Sequence, residues 1–365
     1  MLGISVYPYK ERQDDTLAYI DRAADLDYGR LFTNLLAIPD GEKESTLASM
    51  RTVIERARER GMEVLLDVSP SVFTQLGLAP TQIGFFKELG ATGIRLDQSF
   101  DGMVESIMTF DDSGLDVEVN ISNDTGYIEN ILSYAPNCKR LIGCHNFYPQ
   151  RFTGLDYEYF LSCSRKYKAL GMRTAAFIGS QAADHGPHPF ADGLCTLELH
   201  RDLPSRLQAK HLIATGVIDD VIFANAYASD DELAAVAALR DDQVTFDALF
   251  VDGASATERE LLLQHQHFCR GDINSYSIRS TFVKLEYANA PIPPANTPDV
   301  LHPGDITVGN DTFGQYKGEL ALVKQEMPNT GHHKNLVARI PEAEHVLVPF
   351  VGPWSKFRFV EGEGA

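Results

Sequence analysis

Two carboxylates stand where a hydrolytic pair could form: Asp97, in GIRLDQSF, and Glu198, in TLELHR. A carboxylic acid that protonates the leaving oxygen, with a carboxylate that acts as nucleophile or base, is the minimum kit for cleaving a glycosidic bond. Asp97 closes a short apolar run, where it could equally cap the next helix or pair with an arginine. Glu198 sits in a long loop, where a first-turn glutamate favoured by the helix dipole is the alternative. Asp67, in LLDVSP, is a third carboxylate at the end of an apolar run. Tyr7, Asn34, Asn120, His145, Asn146 and Asn225 end others, and Tyr148 follows in HNFYP. Amides, an imidazole and an aromatic ring suit a sugar, which is held by hydrogen bonds and ring stacking. Asparagine at a strand end is also a common turn former.

What must position these residues is an eightfold alternation. Short apolar runs at 4–8, 30–35, 63–69, 93–100, 116–123, 141–149, 173–180 and 220–227 are each followed by a helix-period stretch. Expected helices begin at Asp14, run from Glu44 to Arg60, open at Leu78, occupy 126–135, 155–170 and 201–215, and finish with Asp230 to Leu239. Glycines 61, 90, 171 and 216 stand where helices should stop. The period near 30 residues predicts a (β/α)8 TIM barrel, in which strand C-terminal ends line the active face. The loop from Ser180 to Arg201 is longer than the scaffold needs, and Leu194 and Leu197 within it look buried. With 365 residues the chain exceeds a single barrel of roughly 250. The barrel is expected over 1–242. A small all-β domain is expected over 243–365, from TFDALFV, SYSIRST, DITVGN, GELALVKQ, NLVARI and HVLVPFV.

A net charge of −19 disfavours nucleic acid and anionic membrane as partners. Residues 1–8 read as the first strand and no run of 18 apolar residues occurs, so the expected location is the cytoplasm. Five cysteines without C-x-x-C spacing read as small buried hydrophobes of a reducing compartment. His145, His185, His188 and His200 share one half of the chain, but no H-x-H or H-E-x-x-H occurs. Neither a metal nor any other cofactor is expected. No glycine-rich phosphate loop is present, which leaves Arg201, Arg279 and Lys317 as candidates for an anion.

LGISVYP, GIRLDQSF, VNISN, CHNFYPQRFTGLDYEYF, GLCTLELHR and GDITVGNDTFGQYKGEL together resemble the bacterial 6-phospho-N-acetylmuramidases, over nearly the whole chain. The resemblance implies a barrel joined to a cyclophilin-like β-barrel domain. It implies cytoplasmic hydrolysis of N-acetylmuramic acid 6-phosphate–N-acetylglucosamine in peptidoglycan recycling, with a small-molecule disaccharide as partner. It also implies a cleft between barrel mouth and small domain, enclosed by the Gly304–Glu319 box with Tyr316, Lys317 and Glu319. His185 and Cys195 stand where the family pattern has arginine and proline, which leaves room for another phosphorylated or uncharged amino sugar. The rival readings are a metal-dependent barrel isomerase or aldolase, and a non-enzymatic sugar-phosphate binding protein.

Overall fold

The computed structural model describes residues 1–7, 12–36, 38–39, 41–187 and 192–362. The chain divides into two compact units, Met1–Leu239 and Arg240–Ala365.

In the first unit eight parallel strands close into a barrel in chain order: β1 (Leu2–Val6), β2 (Arg30–Leu35), β3 (Glu63–Val68), β4 (Gly93–Leu96), β5 (Asp116–Asn120), β6 (Leu141–Cys144), β7 (Thr174–Ile178) and β8 (Asp220–Phe223). Closure comes from β1 on β8, with Leu2 opposite Val221 and Gly3 opposite Ile222. The strands are nearly continuous apolar runs because both faces are covered, one by helices and one by the barrel interior. The helices are α1 (Gln13–Asp25), α2 (Lys43–Glu59), α3 (Pro70–Leu76), α4 (Gly84–Glu88), α5 (Met103–Met108), α6 (Tyr127–Ser133), α7 (Tyr157–Ala169), α8 (Ser205–Ala214) and α9 (Asp230–Ala237). Gly61 and Gly171 follow α2 and α7 at φ +83° and +75°, a left-handed stop that a residue with a Cβ adopts only with strain.

Three helical details differ from the sequence reading. The helix expected from Leu78 is only the five-residue α4. The Ala79 N–H is taken by the Gln82 side chain at 2.7 Å, which holds a turn there. Before it, α3 starts on Pro70 after an extended Ser69, a start signal the apolar periodicity hid. The α5 helix was not anticipated either; its buried Glu105 accepts from the N–H groups of Phe100 and Gly102 at 2.6 and 2.7 Å.

At the N-terminal end of the barrel the interior is ionic. The wholly buried Arg30 donates to Asp220 at 2.6 Å and also pairs with Glu118. Arg173 reaches Asp220 and Glu63, both at 2.8 Å. Toward the other end, Tyr7, Phe32, Cys144, Phe177 and Ile222 form an apolar plug. The long loop is tied down where it is described. Leu194 and Leu197 are buried, and bridges join Tyr148 to Cys195 and Leu155 to Leu197. Four of the cysteines are buried as expected, whereas Cys138 is exposed.

The second unit is a seven-stranded sheet in the order β10 (His267–Phe268), β17 (Lys356–Glu361), β9 (Val244–Phe250), β16 (Lys334–Arg339), β13 (Asp305–Gly309), β14 (Leu320–Val323), β11 (Ser277–Ser280). A two-stranded ribbon of β12 (Val300–Leu301) and β15 (Met327–Pro328) accompanies it. The outermost strands converge, with the Arg270 N–H donating to the Arg279 carbonyl at 3.0 Å. Two assignments change here. Most of HVLVPFV falls in the 3-10 segment Glu342–Phe350 and not in a strand: Glu344 and Leu347, three apart, are the buried residues of that segment, and Pro349 has no N–H to give a ladder. The helix α10 (Ala256–Leu263) interrupts the strands, opened by a Ser255–Glu258 capping box that is legible in the sequence.

Candidate active site

The register places Asn34, Asp67, Arg95 and Glu118 in one row across β2 to β5. Arg95 is the group the sequence reading missed. It lies two residues before Asp97, so both side chains leave the same face of the strand. Its guanidinium is buried, and Nη1 lies 2.7 Å from Asp67 Oδ1 and 3.6 Å from Asp97 Oδ1. Its Nη2 donates to Asn146 Oδ1. Two carboxylates therefore meet on one nitrogen at the C-terminal end of the barrel, beside an amide from the segment just after β6.

The carboxylates differ in environment. Burial pushes Asp67 up to about 6, against the opposing pull of Arg95, and the neighbouring Asp97 charge adds to the rise. Asp97 stands just past β4, with its side chain 36% exposed. A buried carboxyl that holds its proton toward neutrality beside a more exposed partner is the environmental asymmetry that acid–base pairs use. The Asn34 side chain is half-buried and makes no hydrogen bond among the described residues. Ser122 accepts from the Asn146 N–H at 2.8 Å and contacts the Tyr148 hydroxyl, so it sets the sugar-binding candidates in place.

Several other candidates are committed elsewhere. His145 points away from the barrel interior. It is wholly buried against Phe160, with Nδ1 3.2 Å from Ser122 Oγ and Nε2 2.9 Å from Ser164 Oγ on α7. Burial lowers it to about 3, which keeps it neutral and removes it as a base at the mouth. Strand alternation requires this: His145 and Asn146 are adjacent and cannot face the same side. Asn225 holds the Ser180 backbone at both ends, accepting from its N–H at 2.7 Å and donating to its carbonyl at 2.9 Å. Tyr7 is buried, and its hydroxyl donates to the Ala224 carbonyl at 2.5 Å. Asn120 accepts from the Ser122 N–H, the turn-forming role open to it from the sequence.

Glu198 and Arg201 are engaged with each other. Both carboxylate oxygens receive the Arg201 fork at 2.7 Å, and the same oxygens accept from the N–H groups of Phe152 and Gly154 at 2.8 Å. Gly154 makes this approach possible, because a Cβ there would fall 2.7 Å from Glu198 Oε2. The remaining Arg201 donor goes to the carbonyls of Tyr148, Asp192 and Gly193. The Arg201 side chain is 1% exposed and spent, so it does not serve an external anion. The Arg201 hydrogen bonds, helped by the two N–H donors, bring Glu198 down to about 2. At neutral pH it is an anion with four donors on it and no proton to give.

This clamp has a pH signature. The folded-state value lies below the ordinary 4.5, so the stabilisation is complete above 4.5 and is lost as pH falls through about 2. Glu198→Gln is expected to lower thermal stability at pH 7 by about 1.5–3 kcal/mol. Its stability difference from the parent should shrink as pH falls from 4.5 toward 2. Parallel thermal melts check this, and a difference independent of pH would sink the clamp.

In the second unit, Arg279 donates through Nε and Nη2 to Glu319 at 2.7 and 3.0 Å, and Lys317 pairs with Asp311 at 2.8 Å. Tyr316 is 38% exposed. Lys334, opposite Gly309 in the sheet, was not singled out from sequence; it forms no ion pair among the described residues, and burial lowers its pKa.

Among the histidines weighed as ligands, His185 stacks on Tyr227, His200 pairs with His211 at 2.8 Å, and His188 lies outside the described residues. No group of three or more His, Cys, Asp or Glu among the described residues could hold a metal ion. No described helix is long and apolar enough to cross a membrane.

Sequence profiles of the N-terminal and C-terminal parts of 6-phospho-N-acetylmuramidase match residues 2–238 and 244–360. The chain belongs to the 6-phospho-N-acetylmuramidase family. That family's name is the name of a glycosidase activity, which agrees with a carboxylate-lined barrel mouth. The chain is also similar to the crystal structure of an uncharacterized B. cereus protein, at 46% identity over 99% of both chains with a TM-score of 0.92. A conserved protein from a locus in Enterococcus faecalis, of unknown function, shares the fold at 23% identity over 99% of this chain and 96% of that one, with a TM-score of 0.74. No curated protein matches.

Proposed function

We propose that this protein is a cytoplasmic glycosidase that hydrolyses the bond between 6-phospho-N-acetylmuramic acid and N-acetylglucosamine during peptidoglycan recycling. The observation that carries the reading is the Asp67–Arg95–Asp97 constellation at the barrel mouth, in a chain matched to the family over both units. Asp97, the more exposed carboxylate, is the nucleophile or base. Asp67, raised to about 6, is the proton donor to the leaving oxygen. This replaces Glu198, whose four donors hold it as an anion, in the catalytic pair.

Asn34, Asn146 and Tyr148 orient the sugar, with Arg95 fixing Asn146. Arg279 and Lys334 are the cations of the second unit best suited to an anion, and that unit is read as cyclophilin-like. With 2.7 and 3.6 Å to a shared nitrogen, the nearest oxygens of Asp67 and Asp97 lie closer than the roughly 6.5–9.5 Å that admits a water in an inverting pair. Retention of anomeric configuration is therefore expected.

The test is turnover of a chromogenic muramide with and without the 6-phosphate, with the anomer formed first followed by NMR. Phosphorylated substrate is expected to be preferred by roughly tenfold or more in kcat/KM, the scale of a charged hydrogen bond. Equal rates on both substrates would remove the phosphate from the proposal. An inverted first product would remove the assigned pair.

A further inference from the structure

We propose that the second unit carries a binding site for an uncharged pyranose, in the slot between Trp354 and Phe282 beside the Arg270–Asp272 pair. The slot encloses about 390 Å3 and is lined by Arg270, Gly271, Asp272, Phe282 and Trp354. That volume falls in the range of small-molecule sites.

The rings are held open to solvent. Trp354 is 58% exposed and Phe282 51%. Phe268 contacts both rings, with centroids 6.4 and 4.9 Å away and planes within 28° and 30° of parallel. Trp354 adopts φ +62°, a left-handed conformation that is strained for a bulky residue, and such outliers cluster at binding sites. Its backbone N–H donates to the Cys269 carbonyl, and the Cys269 N–H donates to the Ser355 carbonyl, which pins the turn. The indole lies flat against Gly271: a Cβ there would fall 2.5 Å from Cε2 and Nε1. The indole N–H has no acceptor among the described residues, so a donor remains at the edge of the slot.

The ligand class follows from the chemistry. An aromatic face is electron-rich and attracts the weakly positive C–H face of a pyranose, as it does the positive edge of another ring. The Arg270 guanidinium and Asp272 carboxylate lock each other through paired bonds of 2.5 and 2.7 Å. This planar unit presents a donor, Arg270 Nη1, beside carboxylate acceptors, which matches adjacent hydroxyl groups on a sugar. The two charges cancel, so the slot favours a neutral ring over a phosphorylated one. The choice of N-acetylglucosamine as the sugar rests on the glycosidase reading above.

Trp354 is the single tryptophan of the chain, so indole emission of the full-length protein reports on this slot alone. Titration with N-acetylglucosamine should give a saturable change in emission. Phe282→Ala and Asp272→Ala, each checked for folding by circular dichroism, should raise the midpoint at least tenfold. Gly271→Val, which displaces the indole, should do the same. No emission change, an equal change with glycerol, or midpoints unchanged in all three variants would overturn the site. Hydrolysis is assayed separately: turnover without an emission response sinks this site alone, and a sugar-specific response without turnover sinks the glycosidase reading alone.

Discussion

Asp97→Asn is expected to lower kcat by about 10²–10⁴-fold, the contribution of a positioned acid–base or nucleophilic group. Stability should be almost unchanged, because the side chain is 36% exposed and its nearest cation is 3.6 Å away. The contrast with Glu198→Gln makes the test decisive. That variant should lose stability through the Arg201 clamp and keep most of its turnover. The reverse pattern, a dead Glu198→Gln enzyme and an active Asp97→Asn enzyme, would return catalysis to the long loop. Asp67 contributes a pH signature to the same experiment. Its carboxyl is protonated below about 6, so a rate that needs this acid falls as pH rises through that value, about tenfold per pH unit beyond it. Asp67→Asn should remove this limb together with most of the activity. A limb that persists in Asp67→Asn belongs to another group.

Arg30→Met is expected to destabilise the first unit by about 3–5 kcal/mol, the cost of leaving a buried charge without its partner. Arg30 and Glu118 are wholly buried inside the barrel. Asp220 retains Arg173 at 2.8 Å when Arg30 is removed, whereas Glu118 loses its one ion-pair partner among the described residues. Adding Glu118→Leu to Arg30→Met should therefore recover much of the loss, since an apolar replacement of both partners removes the uncompensated charge. Urea unfolding, read as the first transition of a two-unit chain, measures both. A midpoint unchanged in Arg30→Met, or no recovery in the double variant, would show that this cluster does not hold the barrel closed.

These expectations rest on features of unequal legibility. Strands β2 and β3 begin where their apolar runs begin, and the helix stops at Gly61 and Gly171 were visible because a left-handed residue after a helix favours glycine. Leu194 and Leu197 also read correctly as buried. The pieces misread were those in which local pattern competes with a side-chain bond. Gln82 holds a turn where a helix was expected, and the segment that includes most of HVLVPFV buries Glu344 and Leu347, three apart, rather than alternate residues. In the site, Asp67 and Asp97 could be placed at strand ends from sequence, and alternation within LIGCHN already separates His145 from Asn146.

The sequence by itself determined the eightfold barrel and set Asp67 and Asp97 at its C-terminal strand ends. Periodicity and helix punctuation are local properties, and eight repeats close in one way. The tertiary structure decided which charges meet. Arg201 lies three residues from Glu198 and takes it, while Arg95 on β4 takes Asp67 from the neighbouring strand and draws in Asn146 from just past β6. Coulomb energy depends on distance and on the medium between charges, and neither is written in sequence separation. The proposed catalytic pair is read from Arg95, which the fold places between Asp67 and Asp97 at the C-terminal rim.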